Sequence, residues 1–265
     1  MSVAEALAAT GLIRPTRRRG FCPACRLWSG SFSDEAGAEV APAAAIPLVC
    51  LGVAAIAWWV MVGRSRAMGD MDSGTLGSFA AGWIVMMAAM MLPSALPLAF
   101  EFARRSEGRR RWHAATLLLG VTYLSIWLTF GIACYVIRAS MPTSWLDHPF
   151  AGALALSLAG LYGLTPTRRA SEARCRELCA LHGPLPFNLM RSAAVVGARY
   201  GLSCVGCGAG VMVAMVVVGM ANLGWIVVLS AVVLAYKLAP GPSTRRTPLL
   251  SAALFALGVV YGLMP

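Results

Sequence analysis

The chain has 265 residues, of which 58% are hydrophobic and 12% are charged, and its formal net charge is +11. Soluble domains carry about 25% charged residues, so this composition excludes an ordinary soluble fold. Apolar runs of about 20 residues recur, which is the length that crosses a bilayer as a helix. Because these runs are continuously apolar rather than alternating, they exclude a membrane β-barrel. The sequence predicts an all-α, polytopic transmembrane helical bundle.

Two parts of the chain differ in composition. Residues 1–44 are basic and rich in small and polar residues, which indicates a weakly ordered cytoplasmic tail. Residues 45–265 form the predicted transmembrane helical domain. Its apolar runs predict about seven spans, at residues 45–63, 78–100, 114–137, 150–166, 201–221, 224–240 and 249–264.

The basic residues predict the orientation of these spans. Of the 22 Lys and Arg, all but Arg64, Arg66 and Arg138 fall in the tail and in the loops on the same side of the membrane as the tail. Positive residues stay on the cytoplasmic side during insertion. We therefore expect a multi-pass protein of the inner (plasma) membrane with its N-terminus inside and its C-terminus outside. The charge also fits attraction to anionic lipid, so we expect the bilayer and not nucleic acid as its partner.

The second predicted span carries closely spaced methionines and two prolines. At about 100° per residue, Met86 and Met90 share a face with Pro93 and Pro97. Each proline removes a backbone hydrogen bond, and such backbone at membrane depth faces protein or a wet cavity rather than lipid. Methionine is also a common gap-filler, so packing is the alternative to metal binding. The candidate thioether ligands of this span are Met86, Met90 and Met91.

The fifth predicted span contains a Cys-x-x-Cys pair, Cys204 and Cys207, followed by Met212 and Met215. On a helix, both cysteines and Met215 share one narrow stripe, with Met212 beside it. Thiolate and thioether groups are the ligands that Cu(I) prefers. Three glycines in the same segment also permit a close helix–helix contact, which is the structural alternative. The stripe predicts a soft-metal site formed by Cys204, Cys207, Met212 and Met215.

Two further cysteine pairs, Cys22/Cys25 and Cys175/Cys179, fall on the predicted cytoplasmic side, where disulfides are rare. Together with His182 they could form a zinc site, because tetrahedral zinc needs four ligands. Unstructured thiols in flexible loops are the alternative interpretation. The two isolated cysteines, Cys50 and Cys134, are expected to be small packing residues.

Three sequence blocks within residues 78–240 together form a pattern of aromatic, sulfur-containing, glycine and proline residues. The first comprises Trp83, Met87, Met90, Met91, Pro93 and Pro97. The second comprises Gly160, Tyr162, Thr165, Pro166, Arg168 and Cys175. The third comprises Cys204, Gly206, Cys207, Met212, Gly219, Met220 and Asn222. In these blocks the chain resembles the DUF2182 proteins, a family of predicted metal-binding integral membrane proteins.

The resemblance implies metal binding in the membrane, and the chain departs from the pattern at a few positions. Gly208 stands where the pattern has a second adjacent Cys, and Gly163 stands where it has Gln. Tyr236 and Lys237 stand where the pattern has a Glu-Lys pair. The loss of that acidic residue argues against proton-coupled transport, because ionisable groups in the membrane mark proton paths.

The motifs favour a protein that is not an enzyme. The three histidines fall in predicted loops, and no phosphate-loop or nucleophile-elbow pattern is present. The leading hypothesis is a membrane protein that binds, carries or delivers a soft metal, Cu(I) above others, to another membrane or metal-handling protein. The alternatives are a non-enzymatic interaction or assembly subunit and a membrane thiol oxidoreductase that uses Cys204 and Cys207.

Overall fold

The computed structural model describes residues 45–67, 75–142, 149–179 and 188–218, with the short pieces 224, 227, 230–231, 251–256 and 258–259. Within these ranges no strand occurs, which confirms the all-α fold. The six helices are α1 (Ala45–Ala67), α2 (Leu76–Ser106), α3 (Trp112–Ala139), α4 (Pro149–Leu164), α5 (Pro166–Cys179) and α6 (Leu189–Val218).

Four of these helices, α1, α2, α3 and α6, are long and apolar enough to cross a membrane. Helices α4 and α5 form a pair bent by 66°, which counts as a fifth span when the two are taken together. The tail of residues 1–44, including Cys22 and Cys25, lies outside the described residues, as do most of the predicted sixth and seventh spans.

Helix α2 is the most buried of the four described helices that could cross a membrane. Of its most apolar window, 67% of the residues are buried, against 17% for the corresponding window of α1. The helix continues through Pro93 and Pro97, although neither proline can donate the usual backbone hydrogen bond. A helix that is apolar and buried around most of its circumference belongs in a core, so the α2 side chains meet neighbours on several sides.

An indole side chain joins α2 to α3. The Trp83 Nε1 donates a 2.8 Å hydrogen bond to the backbone carbonyl of Trp127, and both residues are fully buried. Gly131 makes room for this ring, because a Cβ at that position would overlap the Trp83 indole. The absence of a side chain at Gly131 therefore sets how closely these two helices pack.

Helices α3 and α6 also approach closely at glycines. A Cβ at Gly197 would lie 2.6 Å from the carbonyl oxygen of Leu119, and one at Gly201 would lie 3.0 Å from the Cβ of Ile126. Small residues let helix backbones come together, which is a common basis of packing in membranes. This contact places Tyr123 of α3 next to residues 204–210 of α6, called the cysteine segment below.

The bend between α4 and α5 has a local cause in the sequence. Thr165 precedes Pro166, which is the first residue of α5. Proline is common at the first position of a helix, because an N–H there would have no hydrogen-bond partner within the helix. The Thr165 Oγ1 accepts a 3.4 Å hydrogen bond from the backbone N–H of Arg168, as an N-cap residue does. The cap starts a new helix in a new direction.

Two sequence predictions about this region are wrong. Residues 167–179 were expected to be part of a loop, but they belong to α5. The fifth span was expected to begin at residue 201, whereas α6 begins at Leu189. Arg191 and Arg199 made the earlier turns look like a loop, yet the helix repeat of these turns buries Leu189, Ala193, Val196 and Tyr200.

Candidate metal site

Cys204 is the innermost thiol of the cysteine segment. Its side chain is fully buried, and its Sγ lies 3.3 Å from the hydroxyl of Tyr123 on α3. Cys207, one turn further along α6, is half-buried, and its Sγ donates to the backbone carbonyl of Cys204 at 3.2 Å. The pair therefore lies at the junction of α3 and α6, with one thiol enclosed and the other nearer the surface.

A third thiol reaches the pair from another helix. The half-buried Cys175 of α5 packs against the cluster that contains Cys204 and is close enough to Cys204 and Cys207 to interact with them electrostatically. Sequence reasoning missed this association, because it grouped Cys175 with the tail cysteines. The spacing of residues along α5 carries the signal that could have revealed it, since Arg168, Ser171 and Cys175 recur every three or four residues and lie on one helix face.

That face of α5 is attached to the cysteine segment of α6 at successive points. The Arg168 Nε donates to the carbonyl of Cys207 at 3.1 Å, and the Arg168 side chain is buried. One turn on, Ser171 lies against Gly206, where a Cβ would come within 2.5 Å of the Ser171 Oγ. Cys175 follows one turn later. Gly206 therefore permits the close approach that brings Cys175 to the pair.

Helix α4 supports the same segment from a second side. The hydroxyl of Tyr162 donates to the carbonyl of Gly206 at 2.5 Å. A Cβ at Gly210 would lie 3.0 Å from the Tyr162 ring and 3.2 Å from the Cα of Ala159. The carbonyls of two adjacent α6 residues, Gly206 and Cys207, thus each receive a side-chain donor, which fixes the segment between the two halves of the bent pair.

Tyr200 links the thiol group to the proline-containing helix. Its fully enclosed hydroxyl donates to the carbonyl of Ser94 on α2 at 3.0 Å, and its ring lies 5.5 Å from that of Tyr123, centroid to centroid. Cys179, Cys204 and Cys175 are all close enough to act on the Tyr200 hydroxyl electrostatically. Tyr200 therefore links the thiols to the part of α2 that contains the prolines.

The methionines lie in the same core as Cys204. Met86, Met87, Met90 and Met91 of α2 are all buried, so burial is not confined to the face shared by Met86 and Met90. The α6 residues Met212 and Met215 are buried too. All of these residues belong to one continuous hydrophobic cluster that includes Cys204, as does Met61 of α1. The sulfur groups of α2 and α6 are thus brought into a common interior.

The predicted metal ligands are thereby gathered in one region, but they are not a preformed coordination shell. In the part of the chain that the structure describes, no group of three or more His, Cys, Asp or Glu side chains has an arrangement that holds a metal ion. The thiols of Cys204 and Cys207 instead have hydrogen-bond partners in their surroundings, which are the Tyr123 hydroxyl and the backbone carbonyl of Cys204. A metal ion would replace S–H hydrogen bonds with metal–sulfur bonds.

The interpretation of Cys175 and Cys179 as unstructured thiols in a flexible loop is wrong, because both belong to helix α5. Their association with Cys22, Cys25 and His182 in a zinc site stays a prediction, since those three residues lie outside the described ranges. Cys50 and Cys134 are half-buried on α1 and α3, and Cys134 packs against the main core, as expected of small packing residues.

Comparison with known proteins identifies the family. The family model of PpoB2, described as a copper chaperone, matches residues 80–261, which include every candidate ligand on α2, α5 and α6. The match covers well over half of the chain, so the chain belongs to this family. No curated protein and no solved structure matches it.

Proposed function

We propose that this member of the copper chaperone family is a membrane-embedded Cu(I) carrier in which Cys204 and Cys207 hold the ion. The observation that carries the proposal is the burial of Cys204 in one cluster with the methionines of α2 and α6. Soft thiolate and thioether groups favour Cu(I) over harder cations. The thioethers that would assist binding or transfer are those of Met86, Met90, Met91, Met212 and Met215.

The two kinds of sulfur have different parts in this proposal. A thiol must lose its proton when it binds a metal, so binding at Cys204 and Cys207 releases protons and is tighter at higher pH. A methionine thioether has no proton to lose, so it can bind Cu(I) inside a dry core without proton release, and the complex keeps the single positive charge of the ion. The thiol pair would therefore retain the ion, and the methionines would accept it transiently on its way through the core.

The surroundings of the carrier follow from the charges and the apolar helices. Four helices that are long and apolar enough to cross a membrane support a carrier that lies in a bilayer, and the distribution of basic residues favours the inner membrane. We expect it to deliver copper to another membrane or metal-handling protein and to perform no chemical conversion itself. A carrier needs only to bind and release its cargo.

Copper retention by the purified protein tests the proposal. The protein in detergent is loaded with Cu(I) under reducing conditions, freed of unbound metal, and analysed for copper. The test variant is Cys204→Ser/Cys207→Ser. The matched control is Cys50→Ser/Cys134→Ser, which also removes two thiols, both of them half-buried. Cys134 is far from the site, because it lies about 16 Å along α3 from Tyr123 at 1.5 Å per residue.

The proposal predicts near-stoichiometric copper in the wild type and the control and its loss in the test variant. Equal copper in all three proteins would contradict the assignment of the ion to Cys204 and Cys207. Thiol–disulfide exchange activity without retained copper would instead support the oxidoreductase alternative for the same pair.

A further inference from the structure

We infer that Cys175 is the third thiolate ligand of the same Cu(I) ion and that helix α5 supplies it from across the bend. This inference rests on the proposed function and adds a ligand that the Cys-x-x-Cys motif does not contain. Its first support is proximity, because Cys175 packs against the buried cluster that contains Cys204 and lies close enough to both Cys204 and Cys207 to act on them electrostatically. The three thiols do not converge on one point in the described structure, so α5 must shift toward α6 when the ion binds.

The second support is the register of α5 on α6, which does not depend on the thiols. Arg168 bonds to the carbonyl of Cys207, and Ser171 lies against Gly206. Ser171 and Cys175 are four residues apart, and positions with that spacing face the same way on a helix. The register therefore places Cys175 on the face of α5 that packs against α6.

The third support is the difference in burial between the thiols. Cys204 is fully buried, whereas Cys175 and Cys207 are half-buried. An ion that enters from the α5 side would meet the two more exposed thiols before the enclosed one. Cys175 therefore lies where a carrier must both receive and give up its cargo, and the ion would tie α5 to α6 while it is bound.

The charges of the region suit such a ligand set. Binding of Cu(I) by three thiols releases three protons, one as each S–Cu bond forms, and the copper keeps its oxidation state. The product carries two negative charges in excess. The buried guanidinium of Arg168 lies on the same α5 face and contacts the backbone of Cys207. A cation at that position stabilises an anionic complex in a low-dielectric interior.

Competition for Cu(I) measures the contribution of Cys175. The detergent-purified full chain is titrated against bathocuproine disulfonate under reducing conditions for the wild type, Cys175→Ser, Cys179→Ser and Cys204→Ser/Cys207→Ser. Cys179→Ser is the matched control, because Cys179 is one turn further along α5 and is equally half-buried. Loss of groups around a metal weakens binding about 10- to 100-fold, so we expect at least a tenfold weaker affinity for Cys175→Ser and a wild-type affinity for Cys179→Ser.

X-ray absorption at the copper edge tests the same inference by a second, independent method. The inference predicts about three sulfur neighbours at the copper ion of the wild type and about two in Cys175→Ser. Wild-type affinity in Cys175→Ser, or a wild-type spectrum with only two sulfur neighbours, would overturn the inference. If copper is then still lost in Cys204→Ser/Cys207→Ser, the proposed function stands. Copper retained in that double variant would refute the proposed function itself.

Discussion

The contact between α3 and α6 supports the site, and Gly197→Ala perturbs it directly. The added Cβ would lie 2.6 Å from the carbonyl oxygen of Leu119 and 3.2 Å from the Cβ of Thr122. A backbone carbonyl cannot rotate away as a flexible side chain can. To restore a contact of about 3.5 Å, the helices must move apart by about 0.9 Å at this point.

The size of the effect follows from two opposing terms. Alanine gains about 1 kcal/mol over glycine in helix propensity. Overpacking of a well-packed core costs about 1–3 kcal/mol. Gly120→Ala is the matched control, because it lies on α3 next to Leu119 and its Cβ meets no atom within 4 Å. We therefore expect Gly197→Ala to be less stable than Gly120→Ala by about 1–3 kcal/mol.

The free energies of unfolding of the two variants are compared in detergent by tryptophan fluorescence during denaturant titration. The same displacement would stretch the 3.3 Å contact between the Tyr123 hydroxyl and the Cys204 Sγ to about 4 Å. Gly197→Ala should accordingly also bind Cu(I) more weakly than Gly120→Ala. Equal stability of the two variants would refute the close α3–α6 packing on which this reasoning depends.

Two further substitutions test single hydrogen bonds. Tyr123→Phe removes the hydroxyl next to the Cys204 Sγ, and we expect about tenfold weaker Cu(I) binding in the chelator competition. The reason is that groups bonded to a metal ligand orient that ligand and tune its affinity. An unchanged affinity would show that the hydroxyl does not act on the ligand. Trp83→Phe removes the donor to the Trp127 carbonyl and should lower the free energy of unfolding by about 1 kcal/mol or more. Its control is Phe79→Leu, which removes a neighbouring ring that makes no hydrogen bond and so measures the loss of aromatic packing alone.

Apolar runs predicted the helical fold and the core helices well. The cores of α1, α2 and α3 match the predicted spans. In the predicted stripe of α6, Cys204 and Met215 are buried and Cys207 is half-buried, and Met212 beside the stripe is buried too. These features are local, because they follow from the period of one helix and from the length of one apolar run. Helix α2 is buried on more sides than the face of Met86 and Met90, for which the sequence predicted contact with protein or a wet cavity.

Helix α5 shows why the third thiol was missed. It is polar, and more than half of its residues are charged or carry a hydroxyl group, so its low hydropathy predicts a loop. Its start is nevertheless encoded by Thr165 and Pro166, and its contact face by the spacing of Arg168, Ser171 and Cys175. The sequence does not predict that this face packs against α6, because the contact of Ser171 with Gly206 is a tertiary contact between distant parts of the chain.

The most direct test of the central claim is the metal content of the protein as cells produce it. The wild type and Cys204→Ser/Cys207→Ser are purified from copper-replete cells without any loading step, and their bound metals are quantified by mass spectrometry. A copper carrier that uses this pair should contain copper in preference to zinc or iron, and the variant should have lost it. A different metal in the wild type, or the same copper content in both proteins, would contradict the account.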